Sequence, residues 1–202
     1  MDNFMTSNDP IQLLNFALDE LKIGITQSNH SFRTGCFATV YENSPHIRTV
    51  VLRDFKRNGN TLYFHSDNRS KKNDHLNKNS KSSLLFYSQE LKLQIRFNGN
   101  SKIVDDQKEL ATRFDESKPQ SKVCYGFNIA PSSPINVQKK ELLEPTILEP
   151  LNKEQLSFAF KNFSVIKFVA DECEVLYLHH DGHIKVFNKF FAKEWHSQFV
   201  CA

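Results

Sequence analysis

Apolar residues near the start of the chain recur at helical spacing, at Ile11, Leu14, Leu18 and Leu21. Asp9 followed by Pro10 supplies an N-cap and a first helical residue, and Gly24 is placed to stop the run, which predicts an amphipathic helix over about 9–23. From Gly35 to Gln94 the period changes to short apolar segments separated by turn residues. These predict strands at Cys36–Tyr41, Ile47–Arg53, Leu62–Ser66 and Ser83–Ser88, then a longer strand at Leu91–Val104 that bends or bulges at Asn98-Gly99. Asn58-Gly59 predicts a tight type I′ hairpin between the second and third strands, since that turn needs positive φ at both central residues.

Between the third and fourth strands the pattern turns polar and lysine-rich, and Ser70 is placed to cap a short helix within Arg69–Asn79. Asp106–Ser117 and Lys153–Asn162 also read as helices. Ala130–Pro150 carries Pro131, Pro134, Pro145 and Pro150 and reads as a loop or extended crossing. Strands return at Val165–Ala170, Glu174–His179 and His183–Asn188, with Asp181-Gly182 as a second hairpin turn. Strands at both ends of the chain, with short helices between, predict an α+β, mainly β fold: a closed or nearly closed barrel over about 35–190 with peripheral helices.

A length of 202 residues, 39% of them hydrophobic, suits one domain with its own core over 1–202. The excess of 18 phenylalanines over 6 glycines favours a packed aromatic interior. The phenylalanines between Phe158 and Phe191 fit that core; lining a ring-binding pocket is the alternative. Cys36, Cys124, Cys173 and Cys201 form no C-x-x-C pair, which argues against a zinc ribbon or a dithiol motif and for buried free thiols in a reducing compartment. Met1–Pro10 has neither a basic nor an apolar signal region, and no apolar run approaches the ~20 residues of a membrane span. A cytoplasmic protein with no membrane partner is expected. The net charge of +3 is too small to call for nucleic acid.

The local chemistry gathers in three blocks, Arg48–Arg53, Phe64–Lys72 and Leu93–Arg96. On a strand, Arg48 and Arg53 project from opposite faces and cannot both serve one point charge without a bend. Ser70-Lys71-Lys72 offers a hydroxyl, free helix-start N–H groups and two ammonium groups within one turn, a physical anion site. Arg48 could add a bidentate fork from a neighbouring strand. A solvated basic helix face is the alternative, and residue types alone leave both open.

Taken together, the blocks resemble the pyridoxamine 5'-phosphate oxidase family of FMN-binding split barrels. That family's pattern runs R-x-V-x-L-[KR], a hairpin, F-x-[TS]-[DN]-x-x-S-x-K, then a strand ending R/L-Q-[VI]-R before a glycine. The resemblance covers roughly Gly35 to Ile135. It implies that Arg48 and Lys72 hold the phosphate of flavin mononucleotide (FMN), with Ser66, Ser70 and Lys71 nearby. It further implies that the Thr49, Val50 and Val51 backbone lies along the isoalloxazine ring, with Gln94 bonded to its polar edge. Arg53 and His65 belong to the same implied cofactor site, as does Ser132, although Pro131 replaces the glutamine of the family's Q-S-S-x-I segment. A homodimer with FMN at the subunit interface is likewise implied.

The resemblance to the oxidase proper is weaker. Ser117-Lys118-Pro119 and Ser121 are similar to its substrate-phosphate segment S-R-P-x-x-S, which makes Lys118 and Ser121 candidate substrate ligands. Glu194–Ala202 keeps Trp195 of the W-x-x-x-R-L-x-P tail without the arginine or proline. Leu176–His183 with Lys185 resembles instead the L-x-L-x-x-x-G-H-R of divergent relatives. His179, His180 and His183 could ligate a metal, but a hairpin sends neighbouring residues to opposite faces, and no metal is expected. The implied function is that of an FMN-dependent oxidoreductase of unspecified substrate. The alternatives are a genuine pyridoxamine/pyridoxine 5'-phosphate oxidase and a non-catalytic flavin-binding module.

Overall fold

The computed structural model describes residues 7–135 and 151–202; the prolines expected in a loop at Pro145 and Pro150 lie outside the described residues. Helix α1 (Pro10–Thr26) starts where the sequence predicts, with the Asp9 carboxylate accepting from the Ile11 N–H at 3.1 Å. It runs past Gly24 instead of stopping there. Gly24 is buried against the following turn, where a Cβ would lie 2.7 Å from the Phe32 carbonyl carbon, so its role is close approach.

Six antiparallel strands close a ring in the order β3-β2-β1-β4-β5-β6, with β6 returning to β3. They are β1 (Thr34–Tyr41), β2 (Ser44–Lys56), β3 (Thr61–Asp67), β4 (Lys81–Ser88), β5 (Leu93–Ile103) and β6 (Phe163–Tyr177). Strands β7 (Ile184–Phe191) and β8 (Glu194–Val200) extend the sheet from the second half of β6. Helices α2 (Lys71–Lys78), α3 (Gln107–Asp115), α4 (Pro119–Val123) and α5 (Lys153–Asn162) are peripheral. The mainly β split barrel with peripheral helices is the expected fold.

Alternation sets the barrel interior: Phe37 of β1, Leu52 of β2, Phe64 of β3, Leu84 and Phe86 of β4, and Ile95 and Phe97 of β5 are buried together with Leu14, Leu18 and Leu21 of α1. A second cluster forms outside the ring, where Phe163 meets Phe114 of α3 and Tyr125 edge-on, with centroids 5.3 and 5.1 Å apart. The phenylalanines Phe160, Phe163 and Phe168 serve these two clusters, while Phe158 and Phe191 are exposed.

Several local expectations are corrected. The two strands read at Val165–Ala170 and Glu174–His179 are one strand, β6, interrupted by a bulge: Gly99 faces Ala170 while Asn98 faces Glu172. The extra Asp171 reverses the alternation, so Ile166, Phe168 and Ala170 point inward before it and Cys173, Val175 and Tyr177 after it. Asn58-Gly59 is no type I′ turn. Arg57–Gly59 forms a 3₁₀ turn and the left-handed residue is Asn60, at φ 37°. Paired positive φ occurs instead at Glu42-Asn43 (49° and 62°) and Ala192-Lys193 (52° and 70°), at the β1–β2 and β7–β8 turns. Ser70 occupies the N-cap position of α2 without a side-chain capping bond. Cysteines are free, but only Cys173 is fully buried, and Cys124 and Cys201 are exposed. No helix among the described residues is long and apolar enough to cross a membrane.

Gly99 is fixed by the bulge, because a Cβ there would stand 2.1 Å from the Val169 carbonyl oxygen. Gly99→Ala is expected to lower stability by about 1–3 kcal/mol, from overpacking against backbone that cannot move aside. Urea unfolding reads this directly; an unchanged midpoint refutes the assignment.

Candidate functional site

Strand β2 divides the chemistry between its two faces. Arg48, Val50 and Leu52 lie on the face whose apolar members enter the barrel, and Thr49 and Val51 lie on the outer face. Beyond Leu52 the pairing with β3 slips, since Leu52 faces Phe64 and Asp54 faces Tyr63, which leaves Arg53 as the extra residue. The opposite placement of the two arginines therefore holds, and the bend needed to join them into one site comes too late to do so.

Around Arg48 the structure gathers cations and hydroxyls. Arg48 Nη1 donates to the Phe37 carbonyl at 3.1 Å and to Thr39 Oγ1 at 2.9 Å. Lys72, on the first turn of α2, donates from Nζ to Ser66 Oγ at 3.1 Å and to Ser70 Oγ at 2.7 Å. Ser70 thus serves the lysine instead of capping the helix. Burial pulls both Arg48 and Lys72 below their usual values, and Arg48 adds to the shift of Lys72 by like-charge repulsion. Neither makes an ion pair among the described residues. Asp67, whose charge opposes the shift of Lys72, is engaged by Arg69 through bonds of 2.9 Å from Nε and 2.6 Å from Nη2. Two partly buried like charges without a counter-ion, beside two hydroxyls, form a site that an anion would neutralise.

The other predicted residues fall elsewhere. Lys71 is exposed at the rim of this cluster. Gln94 lies on the outer face of β5, level with Tyr87 of β4 and Leu176 of β6. Strands β1 and β4 separate it from β2, a gap of about 14 Å at ordinary strand spacing. Ser132 is exposed at φ 66° and takes no part in the Arg48–Lys72 hydrogen bonds.

Arg53 and His65 face outward into a cavity of about 390 Å³ lined also by Arg33, Arg113, Ser117 and Lys118. Arg113 lies 3.8 Å over the Tyr63 ring, held by Glu109 at 2.8 Å and Asp54 at 3.4 Å. Arg53 Nε is buried with no hydrogen-bond partner among the described residues, and burial lowers its guanidinium pKa, with Arg33 adding to the effect. Such an orphan donor in a cationic cavity matches an anionic ligand. His65, 3.4 Å from Ser117 Oγ, is pushed down to about 3 by burial and then by Arg53 and Arg113, which keeps it neutral. Lys118 lines the cavity; Ser121, one turn into α4, does not. Sequence reasoning missed Arg33 and Arg113, whose only sequence signal was the helical Glu109/Arg113 spacing.

In the β6–β7 loop, donor atoms of His179, His180 and Asp181 lie within 4.8 Å of one another. His179 Nδ1 already accepts from the Asp181 N–H at 3.2 Å, so its lone pair is occupied.

Residues 16–105 match the family of the pyridoxamine 5'-phosphate oxidase, FMN-binding domain. The chain is 31% identical over 108 residues to a pyridoxine/pyridoxamine 5'-phosphate oxidase of Pelagibacter ubique, covering 51% of this chain and 50% of that one. It is 30% identical over 111 residues to pyridoxine/pyridoxamine 5'-phosphate oxidase 1 of Hydrogenovibrio crunogenus, covering 55% and 49%. The chain thus matches about half the length of these curated relatives. Among solved structures, a pyridoxamine 5'-phosphate oxidase-related, FMN-binding protein of Nostoc punctiforme superposes with a TM-score of 0.72 at 21% identity, over 92% of this chain and 96% of that one. PhzG of Burkholderia lata, solved with tetrahydrophenazine-1-carboxylic acid, superposes at 0.67 with 16% identity, over 97% and 94%. At such identities the structural likeness establishes the fold.

The depressed His65 pKa has a definite sign in stability. The unfolded chain takes up the proton near pH 6.5 and the folded one only near 3, so stability falls as pH drops through that window, by at most about 1.4 kcal/mol per pH unit. His65→Gln is expected to flatten this part of the acid slope, and NMR should show a neutral His65 ring at pH 5. A ring titrating near 6.5 is incompatible with the cavity described.

Proposed function

We propose that the protein is a divergent member of the pyridoxamine 5'-phosphate oxidase-like family of FMN-binding split barrels, which its family match, its partial relatives and its fold support, and that it binds FMN for oxidation or reduction of a small anionic substrate. The observation that carries this reading is the uncompensated pair Arg48 and Lys72 with the hydroxyls of Ser66 and Ser70. A phosphate monoester dianion supplies the missing charge and accepts the N–H groups that Arg48 does not spend on Phe37 and Thr39. Lys71 adds field at the rim. From that anchor, an extended cofactor can follow β2, with the backbone of Thr49 to Val51 along its ring and Arg53 and His65 beyond. When bound, FMN supplies hydride transfer; the chain binds it, orients it and excludes water from its ring.

The cavity beside Arg53 and Lys118 takes the substrate in this scheme, with its five cationic side chains outnumbering the carboxylates of Asp54 and Glu116 and selecting an anionic group. Ser121 stands one helical turn away and joins only if α4 shifts. Gln94 cannot reach β2 within its own chain, whereas two-fold pairing of the outer barrel faces brings it toward the β2 of a second copy. Ile47 and Tyr87, 69% and 51% exposed, fit such a pairing. A homodimer with the cofactor between subunits follows, Ser132 approaching from the same side. In this reading residues 1–202 form one flavin-binding unit working in the cytoplasm.

Titrating FMN into apo-protein and following fluorescence quenching tests the cofactor. Arg48→Ala and Lys72→Ala should each weaken binding by about ten- to a hundred-fold, as expected for losing a hydrogen bond to a charged group. Undiminished affinity in both variants would sink the phosphate assignment. The cationic cavity also favours a phosphate-bearing substrate, so turnover of pyridoxamine 5'-phosphate by the holo-protein in air is the first activity to measure. Stable flavin binding without turnover of that compound or of reduced nicotinamide points to the non-catalytic module.

A further inference from the structure

Arg48 donates both Nη1 hydrogens inward, to the Phe37 carbonyl and to Thr39 Oγ1. Thr39 is fully buried, so water does not compete for its hydroxyl. That oxygen accepts from Arg48, and among the described residues the acceptor its one hydrogen meets is His75 Nδ1 at 3.1 Å. The pattern fixes the imidazole as the tautomer protonated at Nε2, with Nδ1 free to accept. The ring is itself clamped: it stacks on Tyr41 with centroids 4.7 Å apart and lies 4.5 Å from His46. Tyr41 in turn accepts from Lys78 Nζ at 3.0 Å.

We propose that Thr39 and His75 are positioning residues for Arg48, a relay that holds its guanidinium so that the remaining N–H groups face the FMN phosphate. The proposal rests on the phosphate-site reading above. The charged and titratable groups around His75 act in the direction it requires. Burial lowers the pKa of His75, the His46, Arg48 and Lys71 charges add to this, and Asp74 opposes them, so the ring stays neutral and keeps its acceptor. Without that acceptor the Thr39 hydrogen turns elsewhere, and the threonine oxygen no longer points its lone pair at Arg48. An unanchored arginine must then lose more side-chain freedom when the phosphate arrives.

The test separates the relay from simple packing. His75→Phe keeps the stack on Tyr41 and removes the acceptor; His75→Asn keeps an acceptor at the Nδ1 position and removes the ring. Thr39→Val preserves shape and removes both hydrogen bonds. The relay predicts FMN dissociation constants about five-fold higher in His75→Phe and Thr39→Val, the scale of one hydrogen bond, with His75→Asn close to wild type. It also predicts that His75→Phe adds no further loss in an Arg48→Ala background, because the relay acts only through that arginine. Thermal unfolding of each variant establishes that it is folded at the temperature of the titration. Wild-type affinity in His75→Phe and Thr39→Val overturns the relay, as does weakening in His75→Asn alone, which would mark a packing role. Arg48→Ala measured alongside separates the two readings. If it binds FMN as tightly as wild type, the phosphate site itself is wrong; if it binds weakly while Thr39→Val does not, only the relay fails.

Discussion

Along its first half β6 is hydrogen-bonded to β3 on one edge and to β5 on the other, and this double pairing turns an open sheet into a ring. Closure removes the edges that β3 and β6 would otherwise expose. It also dictates where the barrel must give. The second half of β6 leaves β3 and takes up β7, and the bulge at Asp171 opposite Asn98 and Gly99 allows the change without loss of the apolar face. Helices α3 to α5 then cover the outside of β3 and β6, and Arg113 of α3 reaches Asp54 at the end of β2.

The site follows from this frame. Strand β3 delivers Ser66 inward and His65 outward, and α2, which leaves directly after β3, carries Lys72 back across the barrel end toward Arg48 on β2. Neither cation has an ion-pair partner among the described residues: Asp67 acts on Lys72 only from beyond ion-pair distance and is itself bound by Arg69, which also donates to the Phe127 carbonyl at 2.9 Å. The arrangement is therefore costly in the ligand-free protein, a cost that an anion bound there would offset.

What could be read from sequence divides along physical lines. Lys153–Asn162 was legible to the residue because Asn152 and Gln155 form a reciprocal capping box. The break read into β6 was an error of period: Asp171 reverses the alternation, and a single sequence cannot distinguish a bulge from a turn. Asn58-Gly59 was misread because the local signal for a type I′ turn gave way to a 3₁₀ turn that ends at Asn60, whose N–H donates to the Arg57 carbonyl at 3.1 Å. In the site, Arg48 and Lys72 were visible as charges at strand and helix starts. Thr39 and His75 were not, since they lie 36 residues apart and meet only when α2 packs on β1. Arg33 and Arg113 were hidden for the same reason, brought to one cavity by different elements.

The bulge at Arg53 does for β2 what Asp171 does for β6. A regular strand would send Arg53 outward and Asp54 inward, putting a carboxylate into an apolar barrel. The slipped register keeps Arg53 and Asp54 together on the cavity side and returns Phe55 to the core. Asp54 can then brace Arg113 from the cavity wall, and burial, reinforced by Arg53 and Arg113, keeps His65 neutral. One irregularity thus sets the polarity of the cavity while Arg48, earlier on the same strand, faces the anion site. Five residue steps of extended chain separate the two arginines, about 17 Å, so β2 acts as a ruler. In the proposed binding mode, a flavin phosphate ester anchored at Arg48 with its flat body along Thr49 to Val51 would extend toward the cavity at the far end of the strand.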